Sequence, residues 1–261
     1  MYKYKKVFGK YPNLKNPTTF NEKMQWKKLY DRRDIYTTIS DKCAVREYVA
    51  DRIGEQYLVP IFGVYNNVDS IPFGTLPITF VIKPTHSSNR VRIVRNINEE
   101  NLYKIKKECK KWMKENYYYY GKEWQYKNIN PQIIIEKMLI DSNGEIPLDY
   151  KFHCFNSKIE FIQVDIGRFK EHKRNFYNVE WEFMPVRLIY NNANAIEKPN
   201  KFNEMILLAE KLAKDFNYIR VDFYNINGKI FFGELTIEPE SGFGQWYPKE
   251  YDEILGAMMK G

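Results

Sequence analysis

One stretch near the C-terminus constrains this chain more than any other. It is Tyr218-Ile-Arg-Val-Asp-Phe-Tyr-Asn-Ile-Asn-Gly-Lys-Ile-Phe-Phe-Gly-Glu-Leu-Thr-Ile-Glu-Pro-Glu-Ser-Gly242. Two β-rich runs flank Asn227-Gly228, the signature of a β-hairpin. Strand side chains alternate between faces, so Arg220 and Asp222 share one face while Ile219, Val221 and Phe223 take the other. Glu234 and Thr236 likewise share a face. A two-residue turn at Asn227-Gly228 would pair Asp222 with Gly233 and throw Glu234 to the opposite side. A three-residue loop, Ile226-Asn227-Gly228, with Gly228 left-handed, pairs Asp222 with Phe232 and sets Glu234 diagonally across on the same face. The second register is expected here.

That register collects two carboxylates, an arginine and a hydroxyl on one surface. Neighbouring carboxylates repel, and one stays protonated unless a cation lies between them. A hard cation with oxygen ligands, most simply Mg²⁺ carrying phosphates, relieves the repulsion. The alternative is a solvated hairpin face holding an Arg–Asp pair.

Length sets the scale: 261 residues suffice for one large domain or two to three small lobes around a sizeable core. The net charge of +8 favours an anionic ligand without choosing among nucleotide, nucleic acid, acidic glycan and membrane surface. No Lys/Arg block or Arg/Gly-rich tail argues for nucleic acid. Cys43, Cys109 and Cys154 lack CxxC spacing, which suggests reduced thiols in a cytoplasm. Three histidines make a zinc site a poor expectation. No apolar run approaches the roughly 18 residues of a spanning helix, and the first residues, Met1-Tyr-Lys-Tyr-Lys-Lys, have no apolar signal core. The expectation is a soluble cytoplasmic protein without a membrane span or nucleic-acid partner.

Along the chain, Thr19-Phe-Asn-Glu22 has capping-box spacing and opens a helix to about Tyr30. Ser40 is expected to cap a helix from Asp41 to Ile53, with Lys42 and Arg46 on its polar side. Strands are expected at Val59–Tyr65, Ile78–Lys83 and Val91–Arg95. Between the last two lies Pro84-Thr-His-Ser-Ser-Asn89, a loop that either covers phosphates through its backbone N–H groups or is an ordinary turn. A helix follows from Asn98 to about Tyr117, with Leu102, Ile105, Cys109, Trp112 and Met113 as its buried stripe. Gln132–Leu139 reads as a central strand and carries Glu136. A hairpin joins Asp149–Phe155 to Lys158–Asp165, with Lys151 and His153 on one face. Arg168–Asn175 reads as a basic loop. Helices close the pattern from Asn200 to Phe216 and from Pro248 to about Met259.

Several motifs together resemble a known family. Arg220-x-Asp222, then Glu234-x-Thr236-x-x-Pro-x-Ser-Gly242, resembles the C-terminal signature of ATP-grasp proteins. Phe8-Gly-Lys-Tyr-Pro-Asn-Leu-Lys-Asn-Pro-Thr-Thr-Phe-Asn-Glu-Lys-Met-Gln-Trp26, Ser40-Asp-Lys-Cys-Ala-Val-Arg46 and Gly233-Glu-Leu-Thr236 look like the TupA-like ATP-grasp family, named for a teichuronopeptide biosynthesis protein. The likeness covers essentially the whole chain. It implies an α+β ATP-grasp fold, with two lobes clasping ATP behind a small N-terminal region. The implied division is 1–75 for the N-terminal region, 76–140 for the first lobe and 141–261 for the second.

The resemblance also implies a chemistry, in which a carboxylate is phosphorylated by ATP and an amine displaces the phosphate. By motif position, Lys42 and Lys83 would contact ATP phosphates, and His86, Ser87 and Ser88 would belong to the loop covering them. Glu136 would accept from the adenine amino group, and Lys151 would sit in the purine cleft or near the α-phosphate. Asp222, Glu234 and Thr236 would hold Mg²⁺, with Arg220 stabilising the acylphosphate. Arg168, His172 and Arg174 are assigned to the acceptor or the γ-phosphate, Arg174 as a catalytic group. The partners are then ATP, a sugar-acid or glycan carboxylate and an amine donor, in cell-surface polysaccharide synthesis. Three departures stand out: His86-Ser-Ser-Asn89 replaces a Gly-rich loop, Thr236 replaces an Asn, and Glu240 stands where Gly is common. A glycosyltransferase, an ATP-grasp kinase and a non-catalytic anionic-glycan module are the alternatives. No Asp-x-Asp triplet supports the first.

Overall fold

The computed structural model describes residues 1–168 and 171–259. Phe169 and Lys170, within the expected basic loop, lie outside the described residues. The chain forms two compact units, one of residues 33–140 and one joining residues 1–32 to those from 141 onward.

In the 33–140 unit, strands β1 (Ile61–Tyr65), β2 (Phe80–Pro84), β3 (Arg92–Val94) and β4 (Ile133–Glu136) form one antiparallel sheet in the order β1-β4-β2-β3. β4 is buried along its whole length, as its apolar run predicts, because strands flank it on both sides. Alternation then sorts the side chains. Phe80, Ile82, Ile133 and Ile135 enter a core with Ile105, Cys109 and Trp112 of the helix Leu102–Trp112. Lys83 and Glu136 are left on the opposite face.

Two helices here differ from expectation. The helix expected from Asp41 begins only at Val45 and runs to Ile53, and a separate helix, Asp34–Ser40, precedes it where Ser40 was expected as a cap. Asp41 breaks the run because its Oδ1 accepts from the Cys43 backbone N–H at 2.8 Å, so Lys42 lies in a turn and not on a helix face. The helix expected from Asn98 begins at Leu102, after a short 3₁₀ turn at Ile97–Glu99, with the Asn101 side chain accepting from Lys104 N. Leu102, at the first turn, is exposed and does not join the buried stripe.

The other unit is built on a six-stranded antiparallel sheet. Its strands are β5 (Asp149–Phe155), β6 (Lys158–Ile166), β7 (Lys173–Tyr177) and β8 (Phe183–Met184), with the hairpin β10 (Tyr218–Ile226) and β11 (Lys229–Thr236). The order is β11-β10-β5-β6-β7-β8, and β9 (Arg187–Leu188) pairs separately with β12 (Trp246–Tyr247). Part of the expected basic loop is therefore β7. Arg174 disguises the strand in the sequence, but it is buried because Asp165 on β6 pairs with it.

The hairpin turn is the two-residue one, Asn227-Gly228, both left-handed, with Ile226 opposite Lys229. This corrects the expected three-residue loop. Glu234 nevertheless reaches the face of Asp222, because Gly233 is accommodated as a bulge beyond Phe223–Phe232.

One face of this sheet carries Phe152, Ile162, Ile219, Val221 and Phe223, and the helix Phe202–Ala213 lies against it with Phe202 on Phe152. The other face is divided lengthwise. At one end Phe155, Phe161, Phe176 and Tyr218 pack with Phe20 and Met24 of the helix Phe20–Tyr30 and Leu255 of the helix Tyr251–Met258. The Thr19–Glu22 capping box forms as predicted. At the other end the same strands carry charge.

Candidate functional site

The charged end follows from strand register. β10 pairs with β5 so that Arg220 opposes His153 and Asp222 opposes Lys151. β6 places Asp165 opposite Asp149, and β7 places Arg174 opposite Asp165. On the outer strand Asp222 opposes Glu234 and Arg220 opposes Thr236. Cross-strand partners point to the same side, so one patch collects every group.

Lys151 is the hub. Its Nζ lies 2.8 Å from Asp222 Oδ2, 3.2 Å from Asp149 Oδ2 and 3.8 Å from Asp165 Oδ2. Burial pushes its ammonium down, but Asp149 and Asp222 more than offset that and hold it above its usual range. The Arg220 guanidinium donates through Nε to Asp222 Oδ1 at 2.7 Å and through Nη2 to Asp222 Oδ2 at 2.7 Å. The same Nη2 reaches Glu234 Oε1 and Thr236 Oγ1, both at 3.0 Å. The Thr236 hydroxyl donates onward to Glu234 Oε1 at 3.1 Å.

A second arginine group adjoins it. Arg174 Nε donates to Asp165 Oδ1 at 2.6 Å, and its Nη1 reaches Glu240 Oε1 at 3.0 Å. Arg168 Nη1 donates to Asp149 Oδ2 at 2.6 Å, and His172 Nε2 stands 3.4 Å from Asp165 Oδ1. Burial pushes the Asp165 carboxyl up, yet Arg174 and Lys151 outweigh it and hold the group well below the usual carboxylate range.

Hydrogen-bond chemistry fixes the layer beneath. Gln163 Nε2 donates to the ionised Asp165 at 3.1 Å, so its Oε1 is an acceptor. His153 Nε2 must then carry the hydrogen that meets Gln163 Oε1 at 3.2 Å, and its Nδ1 accepts from Tyr218 OH at 2.9 Å. Burial, reinforced by Arg220, holds His153 well below the ordinary imidazole range, so it is neutral. Sequence reasoning missed Asp149, Asp165 and Gln163. Alternation along one strand places Asp149 beside Lys151, whereas Gln163 and Asp165 reach that face only through a bulge opposite His153 and Cys154, which plain alternation across the Asn156-Ser157 turn does not supply.

The remaining predicted residues lie in the 33–140 unit. Lys83 Nζ is 2.6 Å from Glu136 Oε2, on the sheet face away from the core. Lys42 donates from its backbone N to Thr85 O at 3.1 Å and from Nζ to Ser87 O. Asn89 takes the left-handed conformation that a glycine would adopt more easily. His86 Nε2 donates to the Trp112 carbonyl at 3.0 Å, and burial depresses its basicity. Its only hydrogen is thus committed inward. Thr85 Oγ1, His86 Nδ1 and Ser87 Oγ are buried without a hydrogen-bond partner, three orphaned polar atoms in consecutive residues.

Asp222, Glu234 and Thr236 offer oxygen atoms alone, the donor set of a hard cation, with Glu234 half exposed and able to turn. Among the described residues no group of three or more His, Cys, Asp or Glu forms a metal cluster. Two carboxylates nonetheless suit Mg²⁺, which takes most of its ligands from water and phosphate.

Two antiparallel sheets with flanking helices, one bearing an Arg-x-Asp/Glu-x-Thr hairpin, define an α+β protein with a carboxylate–arginine centre. The chain belongs to the TupA-like ATP-grasp family, whose model matches residues 22–260, and it has the ATP-grasp fold. Among solved structures it is similar to a D-alanine–D-alanine ligase from Bacillus anthracis complexed with ATP, at 15% identity, TM-score 0.47, and 85% of this chain against 63% of that one. It is similar also to the ATP-grasp ligase PsnB with a precursor variant, Mg and ADP, at 11% identity, TM-score 0.48, and 92% against 65%. A third is purK, an N5-carboxyaminoimidazole ribonucleotide synthetase in complex with ADP, at 12% identity, TM-score 0.45, and 83% against 50%. The chain thus spans less than two thirds of the length of each. No curated protein matches it. Among the described residues no helix is long and apolar enough to cross a membrane.

Proposed function

We propose that this chain is an ATP- and Mg²⁺-dependent carboxylate–amine ligase that forms an amide through an acylphosphate. Its acceptor is a sugar acid or glycan carboxylate of cell-surface polysaccharide synthesis, and its setting is the cytoplasm. The observation that carries the reading is Asp222 directly opposite Glu234, with the Arg220 guanidinium spanning both. Two carboxylates held side by side by a cation suit a metal–phosphate centre better than a solvated strand face.

Residues of the 33–140 unit bind nucleotide in this proposal. Lys42 and Lys83 neutralise phosphate charge. The segment 85–88 covers the phosphates with its backbone N–H groups and the Ser87 and Ser88 hydroxyls, while His86 anchors the loop to Trp112. Glu136 leaves Lys83 to accept from the adenine amino group. In the other unit Asp222 and Glu234 would hold Mg²⁺, with Thr236 orienting Glu234; bound there, the ion neutralises phosphate charge. The acceptor carboxylate attacks the γ-phosphorus, the bond to the β-phosphate oxygen breaks, and ADP leaves. The amine nitrogen then attacks the acyl carbon, the acyl–oxygen bond breaks, and phosphate departs as the amine loses a proton. Arg220 and Arg174 stabilise the charge passing through these steps, and Lys151 fixes Asp222. Positioning and charge neutralisation suffice for such transfers, which need no protein nucleophile.

The test is incubation with Mg·ATP and pools of sugar acids and amino acids, followed by product analysis. ADP with free phosphate and a new amide supports the ligase. A phosphorylated acceptor without free phosphate makes the protein a kinase, and AMP or no turnover overturns both.

A further inference from the structure

The 33–140 unit holds an open cavity of about 580 Å³ that the reading above leaves unused. It is lined by Thr37, Thr38, Asp41, Asn66, Asn128, Asn130 and Gln132, with only Ala44, Ile129 and Pro131 as apolar walls. The chain has 41 lysines and arginines, yet none lines this cavity. A phosphate or carboxylate ligand would find no counter-charge there. Four residues with side-chain amides and two with hydroxyls line it instead, each able both to donate and to accept. Gln132 Nε2 donates to Asn66 Oδ1 at 2.8 Å, which fixes the orientation of one amide pair on the wall. Asp41 Oδ1 is engaged by the Cys43 and Ala44 N–H groups, and Oδ2 has no hydrogen-bond partner among the described residues. Asp41 is thus an acceptor in the lining of a cavity whose volume is within the range of ligand pockets.

We infer that this cavity binds an uncharged polyhydroxylated ligand, one or two neutral sugar units of a glycan. Hydroxyls that donate and accept at once match side-chain amides, and the lone carboxylate takes a hydroxyl pair. The cavity is also joined to the candidate phosphate loop within the same unit. Thr85 N donates to the Gln132 carbonyl at 2.9 Å, and Lys42, next to Asp41, donates to Thr85 O at 3.1 Å. A sugar seated there would present its continuation to the loop. The inference rests on the ligase reading for its acceptor, but sugar binding itself requires no nucleotide, so the two fail separately.

The experiment is ligand-observed saturation-transfer NMR on the whole chain without ATP. The probes are neutral hexoses, N-acetylhexosamines and their disaccharides, with glucuronic acid and lysine as charged comparisons. Transfer to a neutral sugar is expected and persists in about 0.5 M NaCl, since no ion pair is involved. It falls at least about fivefold in Asn128→Ala and Gln132→Ala, as loss of one or two hydrogen bonds implies. It is unchanged in Lys83→Met, which removes a proposed phosphate contact. Asn128 is exposed on a loop, so its variant folds even if Gln132→Ala does not. Absence of transfer to any neutral sugar, binding of lysine or glucuronic acid alone, or equal transfer in the cavity variants overturns the inference.

Discussion

Asp222 and Glu234 are direct cross-strand partners, and a single nitrogen, Arg220 Nη2, sits 2.7 Å from the first and 3.0 Å from the second. The two carboxylates differ in surroundings. Asp222 is 1% exposed and also receives Lys151, whereas the Glu234 side chain is 44% exposed. One is a structural keystone as well as a candidate ligand, and the other is free to move toward a cation.

This difference separates stability from function. Asp222→Asn leaves Lys151 and Arg220 facing each other without their shared carboxylate. Stability should fall by about 3–5 kcal/mol, the usual cost of uncompensated buried charge, and Tm by on the order of 10 °C. Glu234→Gln should cost less than about 1 kcal/mol, as solvent already screens that pair. Both variants should lose the rise in Tm that Mg·ATP gives the parent. Differential scanning fluorimetry with and without nucleotide measures all four quantities. A retained nucleotide shift in Glu234→Gln would remove it as a metal ligand.

Acid should destabilise the fold in two stages. His153 and His86 have folded pKa values depressed by burial, so below about pH 6.5 the unfolded chain binds protons that the folded chain refuses. Stability therefore declines as pH drops below that point. Asp165 is depressed by Arg174 and Lys151 despite its burial, so its contribution is full above about pH 4 and is lost as pH falls further. Melting curves from pH 8 to pH 3 should show both limbs. A His153→Gln, His86→Gln double variant should flatten the upper limb, and Asp165→Asn the lower. An unchanged upper slope in the double variant counts against the neutral histidines.

Much of this was legible in the sequence because it rested on alternation and capping. The central strand at 133–136, the 149–166 hairpin and the Thr19 capping box all follow from local pattern. The hairpin register did not, because Gly233 absorbs one residue and a bulge leaves no mark beyond a glycine. β7 was hidden for another reason. Lys173 and Arg174 suggest solvent, and it is Asp165, nine residues before Arg174 and on the neighbouring strand, together with Glu240 that makes burial of Arg174 tolerable. Long-range pairing of charge is what local periodicity cannot supply. The short helices around Asp41 turn on one side-chain hydrogen bond, a choice between capping and breaking that propensity leaves open.

Gly256 tests how the helix Tyr251–Met258 sits against the start of the helix Phe20–Tyr30. A Cβ at this position would lie 2.1 Å from Thr18 O and 2.8 Å from Phe20 N, both backbone atoms that cannot swing aside. Gly256→Ala gains about 1 kcal/mol of helix propensity, but overpacking costs about 1–3 kcal/mol or more. A net loss of stability is expected in urea titration. A gain would mean the two segments separate easily.

Thr236 offers the sharpest test of how the site is tuned. Its hydroxyl accepts from Arg220 Nη2 and donates to Glu234 Oε1, so it fixes where the mobile carboxylate points. Valine matches its shape without its hydrogen bonds, and serine keeps the bonds without the methyl group. Thr236→Val should lose about 1 kcal/mol of stability, the net value of such bonds, and should weaken the Mg·ATP shift several-fold. Thr236→Ser should keep most of that shift. Were Thr236 itself a metal ligand, the valine variant would lose the shift entirely, as Glu234→Gln does. Titrating Mg²⁺ at fixed ATP in the three proteins distinguishes these outcomes: an orienting hydroxyl raises the Mg²⁺ midpoint, whereas a lost ligand abolishes the transition.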